Sequence, residues 1–476
     1  MDWDKLMTAV AGHAAAYRTD VANRFVGPHA DIDQLRRAFG TAVPEGPTDA
    51  EAVIAELVRA AEDGLVAMTG PRYFGFVIGS SVPAAAAADM LTSAWDQNTF
   101  NYVMSPAGSV AEETVARWLL DLLRLPESAS VGLVTGATMA NFTGLAAARH
   151  HVLAEAGWDV EADGLYGAPE LHVVVGADRH ASLDLALRYL GLGSRRVRVV
   201  AADDQGRMRA DVLPAVLAEC DGPTIVCAQA GNVGSGAIDP MAAICAAAHQ
   251  RPDQPPAWVH VDGAFGLWAA ASPALRHLCD GVEQADSWAV DAHKWLNVPY
   301  DTGIAIVRYP NDHVAATWQA AAYLLEGGQG ERDSAWFTPE SSRRARGFPV
   351  WAAIRELGRS GIVELIERCC GHARRFAATL VAAPGVEILN NVVLNQVLVH
   401  FHDPRGGDSN AYTRAVIDRV QHDGTCWLGG TEWQGRAAMR ISVSAWTTTA
   451  ADVDRSAEAI LRAARSPETV PNTAPA

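Results

Sequence analysis

The chain has 476 residues, with 55 acidic against 38 basic side chains and a formal charge of -17. Such an acidic chain repels phosphate backbones, which argues against nucleic acid as a partner. Almost half of the residues are apolar, yet no stretch of about 18 lacks a polar interruption, which argues against a membrane span.

In chain order, the first 75 residues read as alanine-rich helices broken by the turn run Val43-Pro44-Glu45-Gly46-Pro47. Their start, Met1-Asp2-Trp3-Asp4-Lys5-Leu6, lacks the basic and apolar regions of a signal peptide. The helical pattern continues over 85–125. Short β-rich runs follow at 132–135, 172–176, 197–201, 224–228, 258–262, 287–291 and 303–308, with helical stretches such as 137–154, 182–191, 210–220 and 241–249 between most of them. This alternation predicts an α/β fold, a mostly parallel seven-stranded sheet with helices on both faces. Runs such as Val173-Val174-Val175 suit strands buried on both sides.

Beyond about 345 a long helical region (350–383) leads to strands near 386–389, 394–401 and 439–443, then a helix over 449–465. The expected organisation is a helical segment 1–75, a large domain 76–340, a small α+β domain 341–465 and a disordered tail 466–476. The seven cysteines show no zinc or CxxC spacing. They read as reduced, buried thiols of a cytoplasmic protein.

Lysine is nearly absent: only Lys5 and Lys294 occur, against 36 arginines. An amine can lose its proton and attack a carbonyl, whereas a guanidinium stays protonated, so Lys294 is a candidate nucleophile. In an open α/β sheet, ligands gather at the carboxyl ends of strands, and other candidates fall there. The turn Thr135-Gly136-Ala137-Thr138 opens a helix and can present N–H groups to an anion, although a plain strand-to-helix turn reads the same way. His180 follows one strand, where a simple loop residue is the alternative. Asp262 closes the apolar strand Trp258-Val259-His260-Val261, and burying that carboxylate costs free energy unless a cation meets it. An anion cradle, a buried Asp and a lone Lys have one joint explanation, pyridoxal phosphate. Lys294 would form the Schiff base, Asp262 would keep the pyridine nitrogen protonated, and the helix start would hold the phosphate.

These residues also resemble a family. The pieces His260-Val261-Asp262-Gly263-Ala264 and Asp291-Ala292-His293-Lys294-Trp295 are similar to motifs of the group II pyridoxal phosphate decarboxylases, which include the aromatic-L-amino-acid and glutamate decarboxylases. The resemblance runs from about 70 to 455. It implies the aspartate aminotransferase fold (fold type I) and a homodimer with composite sites, the N-terminal helices wrapping the partner. It also implies a role for each matched position: Lys294 as the aldimine lysine, Asp262 on the pyridinium, Ala264 against the ring and His180 stacked on it. Ala137, Thr138 and His293 match the phosphate site, and Asn232 would lie near the 3-hydroxyl. Asp291 falls where some relatives have Asn, and a carboxylate there repels the anion unless protonated or turned away. The segment 341–346, with Ser342 and Arg343, would reach the partner's phosphate. Tyr73, Phe74, Thr99 and Phe100 would wall the substrate pocket, though an aromatic there reads equally as core.

The resemblance makes decarboxylation of an L-amino acid at Cα the expected reaction. One departure bears on the outcome. The family's mobile loop carries a Tyr that returns a proton to Cα, and here Asp333 aligns near that position on a Gly-rich, lid-like segment where burial is not expected. Tyr323 is the nearest tyrosine. The alternatives are therefore decarboxylation-coupled oxidative deamination to an aldehyde, or β-elimination from an S-substituted cysteine. An aminotransferase, with Arg440 on the substrate carboxylate, ranks third. No metal is expected.

Overall fold

A computed structural model describes residues 2–318 and 330–466. Tyr323, the glycines of the expected lid at 327–328 and the tail from 467 onward lie outside the described residues. The chain divides into two compact units. One comprises Gly79–Arg374 with Asn390–Val397; the other holds the described residues of Met1–Ile78, Arg375–Leu389 and Leu398–Ala476. Residues 341–374 belong to the unit that begins at Gly79, and the N-terminal helices group with the C-terminal segments.

The first unit is built on seven strands: β1 (Ser130–Val134), β2 (His172–Gly176), β3 (Arg198–Val200), β4 (Thr224–Gln229), β5 (Trp258–Asp262), β6 (Ser287–Asp291) and β7 (Gly303–Val307). Their order in the sheet is β1-β7-β6-β5-β4-β2-β3. The pairs β2–β3, β2–β4, β4–β5 and β5–β6 are parallel, while β7 runs antiparallel to both β6 and β1. Every residue of β1, β4, β5, β6 and β7 is buried. Continuous apolar runs rather than alternation are what a sheet covered on both faces demands. The side chains of Leu145, Ala147 and Ala148 pack with Val173, Val175, Ile225 and Trp258 in one apolar cluster.

Because β7 runs opposite to its neighbours, the carboxyl ends of β1 and β6 flank its amino end. Val134 and Asp291 both pair with Gly303. On the other side Gln229 pairs with Asp262, and Asp262 with Ala289. All of the parallel strands therefore end on one sheet edge, where the chain turns into loops and helices.

The second unit carries three N-terminal helices, α1 (Trp3–Asp20), α2 (Ile32–Phe39) and α3 (Ala50–Ala61). No residue of α1 or α2 is buried. Its sheet has four strands, β8 (Val386–Ile388), β9 (Gln396–Phe401), β10 (Gly429–Trp433) and β11 (Arg436–Ser442), in the order β10-β11-β9-β8. Sequence reading missed β10, whose Gly429-Gly430-Thr431-Glu432 start has neither apolar alternation nor β-branched density. It is held as a hairpin by the two-residue turn Gln434-Gly435, both at positive φ (50° and 77°). No helix of the described residues is long and apolar enough to cross a membrane.

Candidate active site

Lys294 sits in the loop between β6 and β7, and that loop is held by its backbone. Asn297, at φ 57°, accepts from Ser80 N–H at 3.1 Å and donates to the Trp295 carbonyl at 2.9 Å. Gly79 lies so close that a Cβ there would come within 1.8 Å of the Lys294 carbonyl oxygen. The lysine Nζ pairs with Asp291 Oδ2 at 2.9 Å.

Asp291, 2% exposed, gathers more than the lysine. Its Oδ1 accepts from Ala137 N–H at 2.6 Å and lies 3.4 Å from His293 Nε2. His293 Nδ1 accepts from Thr302 N–H at 3.1 Å, so its ring proton belongs on Nε2, facing the carboxylate. Burial holds the pKa of His293 below the ordinary imidazole value. The carboxylate thus reaches the first turn of a helix, Ala137–Glu155, whose amino end attracts negative charge. Gly136, the residue before that helix, is required small: a Cβ there would sit 3.2 Å from His293 Cε1. Gly303 opposite is tighter, since its Cβ would meet the Gly136 backbone at 2.4 Å.

Asp262, on the neighbouring strand, is treated differently. It is 8% exposed, accepts from Asn141 Nδ2 at 3.1 Å and from Ala264 N–H at 3.2 Å, and among the described residues has no cationic partner. Both donors are neutral, and a carboxylate can accept about four hydrogen bonds. Asn232, after β4, donates to the Asp178 carbonyl at 3.1 Å and accepts from the Gly234 and Ser235 N–H groups. This ties the Asn232 loop to the one carrying His180. His180 caps the helix Ala181–Tyr189, its Nδ1 accepting from Ser182 N–H at 3.2 Å and meeting Ser182 Oγ at 2.7 Å. Its side chain is exposed. Ala137, Thr138, His180, Asn232, Asp262, Ala264, Asp291, His293 and Lys294 therefore all follow or end strands on the same sheet edge.

Other candidates are placed elsewhere. Arg343 is buried on Glu112, its Nη1 2.8 and 3.0 Å from the two carboxylate oxygens, and its Nη2 donates to the Leu133 carbonyl at 2.6 Å. Thr99 accepts from the same guanidinium through its carbonyl oxygen at 3.0 Å and its hydroxyl at 3.2 Å. Both residues thus serve the interior of this unit, whereas Ser342 beside them is exposed. Phe100 is half-buried, and its carbonyl accepts from Ala335 N–H at 2.9 Å. In the second unit Tyr73 stacks on Trp427, 5.0 Å between centroids, and Phe74, 1% exposed, packs edge-on against Phe376. Arg440 lies on β11, and burial lowers its pKa from the ordinary arginine value.

Asp333 corrects the sequence expectation. It is 3% exposed, not carried bare on a lid, and its Oδ1 accepts from Tyr102 N–H at 2.9 Å. Neighbouring Arg332 is drawn inward as well, its guanidinium 4.0 Å from the Phe337 ring centroid and donating to the Val131 carbonyl. The aromatic and apolar residues that follow a Gly-rich stretch pull these charged positions into the interior.

The residues fit pyridoxal phosphate on two observations. Asp262 is a buried carboxylate without a cation among the described residues, which a pyridinium would supply. Arg346, 7% exposed and bonded to Asp301 at 2.9 Å, keeps a buried Nη1 without a hydrogen-bond partner among the described residues. Residues 33–402 match the family described as the pyridoxal-dependent decarboxylase conserved domain. The chain belongs to that family.

As a member of this family it is a pyridoxal phosphate-dependent carboxy-lyase acting on an amino acid. Tryptophan decarboxylase 1 of Oryza sativa subsp. japonica is 28% identical over 455 residues, covering 90% of this chain and 87% of the relative. The 4-hydroxyphenylacetaldehyde synthase of Rhodiola rosea is 26% identical over 450 residues, covering 91% and 89%. A crystal structure of Oryza sativa TDC with PLP and tryptamine superposes with a TM-score of 0.89 at 23% identity, covering 97% of both chains. That likeness shows the fold: the expected type I architecture, with its mostly parallel sheet and smaller C-terminal sheet domain.

Sequence reading missed Asn141, Ser287 and Glu112, and gave His260 no role. The one available signal was a histidine inside an apolar strand, which requires buried hydrogen-bond partners.

Proposed function

We propose that this pyridoxal phosphate enzyme decarboxylates an aromatic L-amino acid, working as a homodimer in the cytoplasm. The observation that carries the site assignment is the placement of Lys294 and Asp262 after adjacent parallel strands, each buried or held, with Gly136 and the helix start on the same edge. The aromatic substrate is supported by what the relatives are named for, tryptophan and tyrosine decarboxylases among them.

When bound, pyridoxal phosphate supplies an aldehyde for covalent attachment and a ring that accepts the electron pair freed as CO2 departs. Lys294 offers the amine for that attachment, steadied by Asp291 and by the backbone clamp of Asn297. The Asp262 carboxylate would hold a proton on the ring nitrogen. The helix start at Ala137 and Thr138, with the imidazole of His293, would hold the phosphate once it displaces Asp291 from the Ala137 N–H. His180, with its Nδ1 held by Ser182, would stack on the ring and orient it. Ser342, exposed in this chain, is the residue that reaches a partner's site. Exposed apolar side chains on α1 and α2, including Trp3, Ile32 and Phe39 at 68, 62 and 57% exposure, support a partner subunit as their cover. The seven cysteines, all unpaired and buried, support a reducing compartment.

A second reading is favoured by Asp333. By the sequence resemblance Asp333 takes the place of the family's proton-donating tyrosine, and its carboxylate is turned inward to the Tyr102 N–H. Without that donor, the substrate carbon is open to O2, and amino acid plus O2 and water would give aldehyde, CO2, ammonia and hydrogen peroxide. Both readings are tested by incubating the holoenzyme under air with L-tryptophan, L-tyrosine, L-DOPA and L-glutamate while following amine, aldehyde and peroxide. Aromatic amine supports the first reading, and aldehyde with equimolar peroxide the second. Turnover of glutamate alone would reject the aromatic assignment.

A further inference from the structure

Behind Asp262, four more side chains form a buried hydrogen-bond chain whose direction is set by chemistry. Trp258 Nε1, a donor only, reaches Ser287 Oγ at 2.8 Å. The serine hydroxyl then has its own hydrogen for His260 Nδ1, 2.8 Å away. That leaves the imidazole proton on Nε2, where it meets Asn141 Oδ1 at 2.9 Å. With its oxygen so engaged, Asn141 turns its amide nitrogen to Asp262 Oδ2 at 3.1 Å. Asn141, His260 and Ser287 are each 0% exposed and Trp258 is 2% exposed.

We propose that Asn141 and His260 are positioning residues for the decarboxylation. They fix the plane of the Asp262 carboxylate through one neutral donor, and with the Ala264 N–H taking a second acceptor site the others remain for the ring nitrogen. The proposal rests on the reading of Asp262 given above.

Two further features belong to the same design. Burial pushes the imidazole of His260 down to about 3, so the donor behind Asn141 carries no charge that would compete for Asp262. The titratable neighbour opposite His260 on β4 is Cys227, which burial keeps as a thiol. Room for the ring is made by Gly144, one turn after Asn141 on the same helix. A Cβ there would lie 2.8 Å from His260 Cε1 and 3.0 Å from Nδ1, so any larger residue pushes the imidazole out of line.

The test uses holoenzyme variants Asn141→Leu, Gly144→Ala and His260→Gln, with Asp262→Asn as control. Three readouts are followed: kcat against KM, the pH midpoint of the cofactor's visible band, and the rate of cofactor release. Asn141→Leu and Gly144→Ala should lower kcat roughly ten- to a hundredfold at nearly constant KM, the size seen when a group that orients a functional ligand is lost. Both should also shift the visible-band midpoint. His260→Gln should recover most of the activity, because its amide can donate where Nε2 does. If Asn141→Leu does not fold, Gly144→Ala, which removes no hydrogen-bonding side chain, decides. Unchanged midpoint and kcat in Gly144→Ala, with both altered in Asp262→Asn, overturn the positioning role. Unchanged behaviour of Asp262→Asn would instead overturn the reading of Asp262 itself.

Discussion

Two aspartates end adjacent parallel strands and are handled in opposite ways. Asp291, at the end of β6, takes a lysine ammonium, a helix N–H and a histidine edge. Asp262, at the end of β5, takes only an asparagine amide and one backbone N–H, with no cation among the described residues. Burial is nearly the same, 2 and 8% exposed. A satisfied carboxylate is structural until something displaces its partners, whereas a buried carboxylate lacking a cation is poised for one from outside. The chemistry of this sheet edge follows from that difference.

The largest effect is expected at the lysine that Asp291 holds. Lys294→Arg should abolish covalent attachment of the cofactor, because a guanidinium does not condense with the aldehyde under these conditions. Borohydride reduction followed by peptide mapping should label Lys294 in the parent and nothing in the variant; label on Lys5 would refute the assignment. Next, Asp262→Asn should retain cofactor and lower turnover by orders of magnitude, since the charge holding the ring proton is gone. Near-normal turnover would make the two aspartates equivalent and dissolve the contrast.

Asp291→Asn should act in the other direction on binding. Removing a negative charge from the start of the Ala137–Glu155 helix frees that site for phosphate, and the cofactor should bind about two- to fivefold more tightly, a helix-terminus effect of usual size. Equilibrium dialysis of the apoprotein checks this, and weaker binding would mean that the Asp291 carboxylate supports the anion site.

The smallest effect is on stability against pH. His260 and His313 are both held down to about 3 by burial, from an ordinary 6.5. Unfolded chains protonate these imidazoles below pH 6.5 while the native state does not, so their contribution is present above 6.5 and is lost as pH falls toward 3. His150 and His151, raised by hydrogen bonds to Glu161 and Asp312, act oppositely and lose their contribution as pH rises above 6.5. Melting temperature should therefore fall from pH 6.5 to 4, and His260→Gln should flatten part of that slope.

Much of this was legible in the sequence because strand ends announce themselves. Apolar runs closing on Asp262 and Asp291, and the turn at Gly136, needed only the rule that such sheets place function at the carboxyl edge. What stayed hidden depends on long-range pairing. Glu112 meets Arg343 across 231 positions and Asn141 meets His260 across 119, and no local pattern encodes either. Arg343 looked like a phosphate binder because a surface arginine and a buried one read alike. Its 0% exposed side chain, on a 2% exposed glutamate, shows why removing it should cost folding before chemistry. Asp333 was misplaced for a related reason: a Gly-rich preface suggests mobility, while the Ser334-Ala335-Trp336-Phe337 turn that follows draws it inside.

The reversed strand β7 also sets a schedule for assembly. It closes the sheet by pairing Ser130 with Val307, 177 positions apart. Parallel layers of this kind gain their stabilising contacts only after long loops have closed, which makes them slow and exposed to aggregation while incomplete. On a ribosome, the helix start at Gly136 emerges early, but Gly303, the residue that brings it beside Lys294, emerges more than 160 residues later. A nascent chain interrupted before β7 would carry the lysine and both aspartates on paired strands, yet would lack the strand that joins the anion-binding turn to their edge.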